Sequence, residues 1–312
     1  MGIETQNSNL HVVLLFLDGV GIGKKDADIN PFFRARMPTL TTLCGGELPH
    51  IPFKKKSTNQ AEVIAINATL GISGLPQSGT CQTAIFTGVN GAKKFGRHFG
   101  PYPPSVLRPV IAEKNIFHQL MALGKSVVFA NAFPQRFFDY IESGTRRLTV
   151  TTLSCQLASI PLLTARELQR DEGISADFIR TQWSDLGHPE IKPVTSREAG
   201  KHLASIVSKH DFTLFEYWLS DHAGHSQKMT FAVEVLERLD EFLTGFSESF
   251  NHSNTLLMIV SDHGNIEDLS TKSHTRNKVP CILVGKYRRQ LAKRIKNLTH
   301  VTPAIVSLFL DS

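Results

Sequence analysis

No stretch of this chain approaches the roughly 18 consecutive apolar residues that a membrane-crossing helix needs, so no membrane partner is expected. The opening segment has no basic stretch ahead of its apolar run, and that run passes straight into Asp18 and a series of glycines. It therefore reads as a buried strand and not as a secretion signal. Only four cysteines occur in 312 residues, and Cys44, Cys81, Cys155 and Cys281 form no CxxC pair. A small disulfide-built scaffold is excluded, and reduced thiols in a cytoplasm are the expectation. The formal charge of +6 is not concentrated anywhere except Lys54-Lys55-Lys56 and the tail 286–296, which reads as a solvated surface helix. No nucleic-acid partner is expected from so scattered a charge, although a mild positive field favours an anionic small substrate.

What is present is a set of short, continuous apolar runs: HVVLLFLD (11–18), SVVFANA (126–132), FTLFEYWL (212–219), TLLMIVSD (255–262) and PCILVG (280–285). Continuous rather than alternating hydrophobicity predicts parallel strands covered on both faces. Helical spacing separates them at 115–124, 196–210 and 230–250. That alternation predicts an α/β fold, a three-layer α/β/α sandwich around a mostly parallel sheet. We expect a single catalytic domain over residues 1–312, with an irregular excursion within about 134–195 too short for a substantial core of its own.

In a parallel sheet, chemistry collects outside the carboxyl ends of the strands. Three of the runs end there in polar clusters: Asp18 before GVGIG, Asp221, His222 and His225 in SDHAGH, and Asp262 and His263 in SDHGN. His274 follows in SHTRN, just before PCILVG. An aspartate after a strand is often only a turn former, and GVGIG lacks the GxGxxG register of a dinucleotide loop. So many ionisable groups converging on one edge, however, are costly to bury without cations. Mixed carboxylate and imidazole ligands suit zinc or manganese, or iron, rather than calcium. They exceed the three protein ligands of one open zinc site, so two ions divide them better, as in sites for displacement at phosphorus. LPQSGTCQTAIFTG (75–88) reads either as an ordinary turn into a helix or as a turn presenting the Thr80 hydroxyl for reaction.

The ordered set FLDGVGIG, QSGTCQTAIFTG, DHAGHS, SDHGN and SHTRNKVPCILVG resembles the alkaline phosphatase superfamily of metalloenzymes. It is most similar to the branch of cofactor-independent phosphoglycerate mutase and phosphopentomutase, over residues 11–110 and 200–310. The resemblance implies one metal site from Asp221, His225 and His274, and another from Asp18, Asp262, His263 and the oxygen of Thr80. Thr80 is then the nucleophile, and the backbone N–H groups after it help neutralise the phosphate. Two divalent ions are implied, manganese ahead of zinc because that branch favours it. Cys81 reads as a packing residue, His222 as a neighbour of ligands, and His98 and Arg276 as candidate substrate-binding residues.

The mutases carry a large cap that retains their intermediate, and here only 134–195 remains for one. Water then competes for the phosphothreonine, so the expected activity is hydrolysis of small phosphorylated substrates, as a phosphatase or phosphodiesterase. The alternatives are an intramolecular phosphotransferase and a catalytically silent metal-binding protein. Neither substrate identity nor oligomeric state is written in the sequence.

Overall fold

The computed structural model describes residues 10–144 and 147–310. Seven strands form its sheet: β1 His11–Leu17, β2 Lys56–Ser57, β3 Ala61–Ile66, β4 Val127–Phe129, β5 Phe212–Tyr217, β6 Thr255–Ser261 and β7 Val279–Gly285. Their spatial order is β2-β3-β7-β6-β1-β5-β4. The β1 run is apolar at every position because each face of the sheet is covered. Val12, Leu14 and Phe16 join one core with the helices Ser78–Thr87, Ile116–Ala122 and Val301–Leu310. Val13, Leu15 and Leu17 join a second core with Ser196–Val207 and Met229–Glu248. These are the three layers expected from the sequence.

Strands β4, β5, β1 and β6 are parallel neighbours. The reading of PCILVG as a further parallel strand is corrected: β7 runs against β6. No crossover helix separates the two in sequence, and without one a strand can only return antiparallel. The antiparallel edge formed by β3 and β2 was not foreseen. Its AEVIAI run is short and carries a buried Glu62, which Ser57 and Lys55 satisfy. Because β3 opposes an antiparallel strand, five of the seven strands still share one direction.

Between β4 and β5 lie the short helices Gln135–Glu142, Val150–Leu157 and Ala165–Gln169. Part of this stretch packs on a small cluster of Ala132, Leu168, Trp183 and Ile191. It is tied to the chain leaving β4 by the bridges Asn131 to Ile174 and Ala132 to Leu163. All four cysteines are free and buried. Among the described residues no helix is long and apolar enough to cross a membrane.

Candidate metal centre

Strand register sets the site. Leu17 stands opposite Tyr217 on one side and Ser261 on the other, so Asp18, Trp218 and Asp262 leave the sheet side by side. Trp218 begins the helix Leu219–Ser226, whose first turn carries Asp221 and whose last carries His225, one helical turn apart on the same face. The loop between β6 and β7 returns His274 to the same point. Gly19 lets the chain turn close beside these groups: its φ is +69°, and a Cβ there would lie 2.4 Å from Asp221 Oδ1.

Two groups of ligand atoms result, Asp221 with His225 and His274, and Asp18 with Asp221 and His263. In the first, His225 Nε2 lies 3.2 Å from Asp221 Oδ2 and 3.2 Å from His274 Nε2. In the second, His263 Nε2 lies 3.4 Å from both Asp18 Oδ1 and Asp262 Oδ2. Asp221 thus belongs to both groups, while the family pattern gives it to one.

The surroundings orient these ligands. His225 Nδ1 donates to the carbonyl of Lys272 at 2.9 Å, and His274 Nδ1 to that of Pro76 at 2.8 Å. Each ring therefore turns an Nε2 lone pair toward the other, the arrangement of metal-ligating imidazoles. Asn265 donates to Asp221 Oδ1 at 2.7 Å, and the Gln82 amide bridges Asp18 and Asp262 at 3.3 and 3.2 Å. Glu267 holds the loops together by accepting from the backbone of Gly21 and Asn265 and from Thr275 and Asn277. Sequence reasoning missed Gln82, Asn265 and Glu267, whose only local signal is proximity to ligands.

The electrostatics call for cations. Burial, with the charges of Asp262, Asp221 and Glu216, pushes the Asp18 carboxyl well above its usual range. Burial and the Asp221 charge push Asp262 up to about 6. Burial also opposes ionisation of Asp221, but the His225 hydrogen bond, the His263 charge and the Asn265 amide outweigh it and hold that carboxyl low. Burial depresses His263 to about 4 and also lowers His274. His225 is raised by its hydrogen bond to Asp221, but two lowered imidazoles and this one cannot compensate three neighbouring carboxyl groups once ionised, and Asp18 Oδ1 is buried with no hydrogen-bond partner among the described residues. The donor set fits divalent ions on both counts.

The helix Ser78–Thr87 requires a correction. Gln77 is its N-cap, and all of its residues are buried. Ser78 points at the cluster, with its Oγ 2.9 Å from His263 Nε2. Thr80 lies roughly 200° further around the helix axis. Its hydroxyl donates to the carbonyl of Gln77 at 3.1 Å and accepts from Phe99 N–H at 3.2 Å. The hydroxyl that faces the cluster is thus that of Ser78, where the sequence reading expected that of Thr80. The N–H groups of Thr80 and Cys81 are also spent, on Gln77 and Phe99 carbonyls. Gly79 admits the loop after His98, since a Cβ there would lie 2.3 Å from Tyr102 O. Thr83 and Thr87 donate to the carbonyls of Gly79 and Thr83 at 2.7 and 2.6 Å, as buried helical threonines do.

The remaining candidates make no hydrogen bond to the ligand cluster among the described residues. His98 is buried, with Nε2 3.1 Å from Thr69 O and Nδ1 3.8 Å from Cys81 Sγ. Arg276 is exposed, with no hydrogen bond or ion pair among the described residues. His222 packs between Trp218 and Phe231, and Cys81 is buried in the core.

The model of the Metalloenzyme superfamily matches residues 184–310, which contain Asp221, His225, Asp262, His263 and His274. Similar curated proteins include the 2,3-bisphosphoglycerate-independent phosphoglycerate mutases of Desulforudis audaxviator and Moorella thermoacetica. Each is 26% identical, over 126 and 121 residues, or 38% and 37% of this chain. The match takes in 25% and 24% of those proteins, so the chain spans about a quarter of the length of the curated relatives it matches. Among solved structures, a protein of Pyrococcus horikoshii superposes with a TM-score of 0.58 at 11% identity, covering 97% of this chain and 98% of its own. The alkaline phosphatase from the Antarctic bacterium TAB5 gives 0.52 at 12% identity, with 97% and 98% covered. Likeness at such identity is one of fold. Motif order, family model and architecture agree: residues 184–310 are similar to the Metalloenzyme superfamily, and the chain has an alkaline phosphatase-like fold.

Proposed function

We propose that this protein is a two-metal phosphoester hydrolase that acts through a phosphoserine at Ser78. The observation that carries the reading is the Ser78 hydroxyl, 2.9 Å from His263 Nε2 at the start of a buried helix and inside a cluster of three aspartates and three histidines. Asp221, His225 and His274 would hold one ion, and Asp18, Asp262, His263 and Ser78 the other. Two divalent ions bound there supply Lewis acidity toward phosphate oxygens and the leaving group.

The chain's own groups do the rest. Ser78 gives up its hydroxyl proton to solvent and its Oγ attacks phosphorus in line, so that an O–P bond forms as the bond to the substrate alcohol breaks, and the alcohol leaves with a proton taken from solvent. The N–H groups of Ser78 and Gly79 have no carbonyl partner among the described residues and face an incoming anion at the positive end of the helix. Gln82 and Asn265 keep the aspartates aimed. Water then attacks the phosphoserine and releases phosphate. Asp18 lines an open cavity, which leaves the cluster accessible to water.

Manganese ranks ahead of zinc by the family resemblance. The reading is tested by measuring phosphate release from 4-nitrophenyl phosphate with protein loaded with manganese or zinc. Metal-dependent release that is lost in Ser78→Ala supports it, and activity unchanged by that substitution rules out the covalent route. Isomer formation without free phosphate would favour the phosphomutase alternative suggested by the names of the curated relatives.

A further inference from the structure

A cavity of about 940 Å³ opens beside Asp18. Its walls carry Phe133, Phe137, Tyr140, Trp183, Trp218 and Phe231. Two of these rings, Phe133 and Phe137, stack with centroids 4.4 Å apart. Trp183 is fixed by its indole N–H, which donates to Ser175 Oγ at 2.8 Å. Both tryptophans of the chain belong to this wall.

Of the carboxyl groups lining the space, Asp18 belongs to the ligand cluster and Asp177 accepts from Ser175 and Thr181, which leaves Glu216. Glu216, on β5, lines the cavity, and its Oε2 accepts from Thr151 at 2.5 Å. Its Oε1 has no partner among the described residues. The neighbouring Asn131 is already committed, since its amide exchanges two hydrogen bonds of 2.8 Å with the Glu216 backbone. Asn131 therefore fixes the strand while Glu216 Oε1 is left to meet whatever enters.

We propose that this cavity receives the alcohol half of the substrate, and that the alcohol carries an aromatic or heteroaromatic ring of nucleoside size with a hydrogen-bond donor for Glu216. This rests on the phosphoester reading above and narrows it to a substrate class. A volume of this order matches sites that enclose most of a ligand of several hundred daltons. A three-carbon phosphate would leave the aromatic wall in contact with water, an arrangement that wastes apolar surface. Flat rings sandwich well between side chains of this kind.

The experiment uses the full chain and has two arms. In the first, tryptophan emission of the metal-free protein is followed during titration with adenosine 5′-monophosphate, phenyl phosphate and glycerol 2-phosphate. The ring-bearing esters should shift emission saturably and the glycerol ester should not. In the second, kcat/KM of the manganese-loaded enzyme is compared for adenosine monophosphate and glycerol 2-phosphate. Trp218→Ala and Tyr140→Ala, both at exposed positions, should each lower that ratio about tenfold. Unmoved emission together with a ratio unaffected by either substitution overturns the cavity assignment and leaves the hydrolase reading in place. Saturable emission changes without phosphate release from any ester support the cavity assignment and overturn the hydrolase reading.

Discussion

The ligand cluster and the cavity wall beside it are built in different ways. At the cluster, each functional atom is placed by strand register, since Leu17 faces both Tyr217 and Ser261 and the next residues emerge level. Backbone carbonyls then lock the imidazoles, and side-chain amides lock the carboxylates. At the wall, the segment between β4 and β5 presents Phe133, Phe137, Tyr140 and Trp183, joined by Trp218 and Phe231 from beyond β5, with Tyr140 partly exposed. A rigid sheet edge suits chemistry that tolerates little displacement. A wall of short elements suits a surface whose selectivity can change without disturbing that edge.

The largest expected effect separates two hydroxyls on one helix. Ser78→Ala should lower kcat on the order of 10³-fold or more, because it removes the attacking atom. Thr80→Val removes only the hydrogen bonds to Gln77 and Phe99. It should cost roughly 1–3 kcal/mol of stability as the buried partners go unpaired, with kcat within about tenfold of the parent. Steady-state kinetics and urea unfolding of the two variants read both quantities. The reverse pattern would return the nucleophile to Thr80.

A smaller effect tests how the cluster is aimed. Asn265→Ala frees Asp221 from its amide partner and should weaken metal binding about 10–100-fold, the usual loss when an orienting neighbour is removed. Calorimetric titration with manganese measures it. The same titration should tighten as pH rises through about 6, because burial keeps a proton on Asp262 up to that value and the ion must displace it. Affinity that is flat between pH 5 and 7.5 would contradict a buried, protonated Asp262.

The cluster was legible in the sequence because each apolar run ends abruptly in acids and histidines, and parallel strands deliver such ends to one edge. The structure brings Asp18, Asp221, His225, Asp262, His263 and His274 together as the runs imply. The place of Ser78 was not legible. Which hydroxyl faces the cluster depends on helix phase, and the N-cap Gln77 makes no side-chain capping bond that would mark the start. The helix 196–207 shows the contrast: Thr195 and Glu198 form a capping box, and the start lay within a residue of the reading. The direction of β7 was hidden because hydrophobicity reports burial on two faces and not the sense of the chain. The cavity wall was the least legible part, since its aromatics come from several separate segments of the chain with no shared period.

The smallest effect concerns Glu216, which sits where the two regions meet. Burial raises its carboxyl to about 7; the Thr151 hydrogen bond opposes this and the Asp262 charge adds to it. In the unfolded chain the same group ionises near 4.5. Below that pH it is protonated in both states and costs nothing. Between 4.5 and 7 the folded protein keeps a proton that the unfolded chain has lost, so stability falls as pH rises, and above 7 the loss is complete. Glu216→Gln has no proton to lose, and its amide oxygen can still accept from Thr151. Relative to the parent, the variant should therefore gain about 1–3 kcal/mol between pH 4.5 and 8, most of it by pH 7. Urea unfolding of both metal-free proteins at pH 4.5 and pH 8 measures the gain as a difference of differences, in which the titrations shared by the cluster cancel. A gain that is equal at the two pH values would mean that Glu216 ionises as freely in the fold as in the unfolded chain, and that the cavity floor is wet.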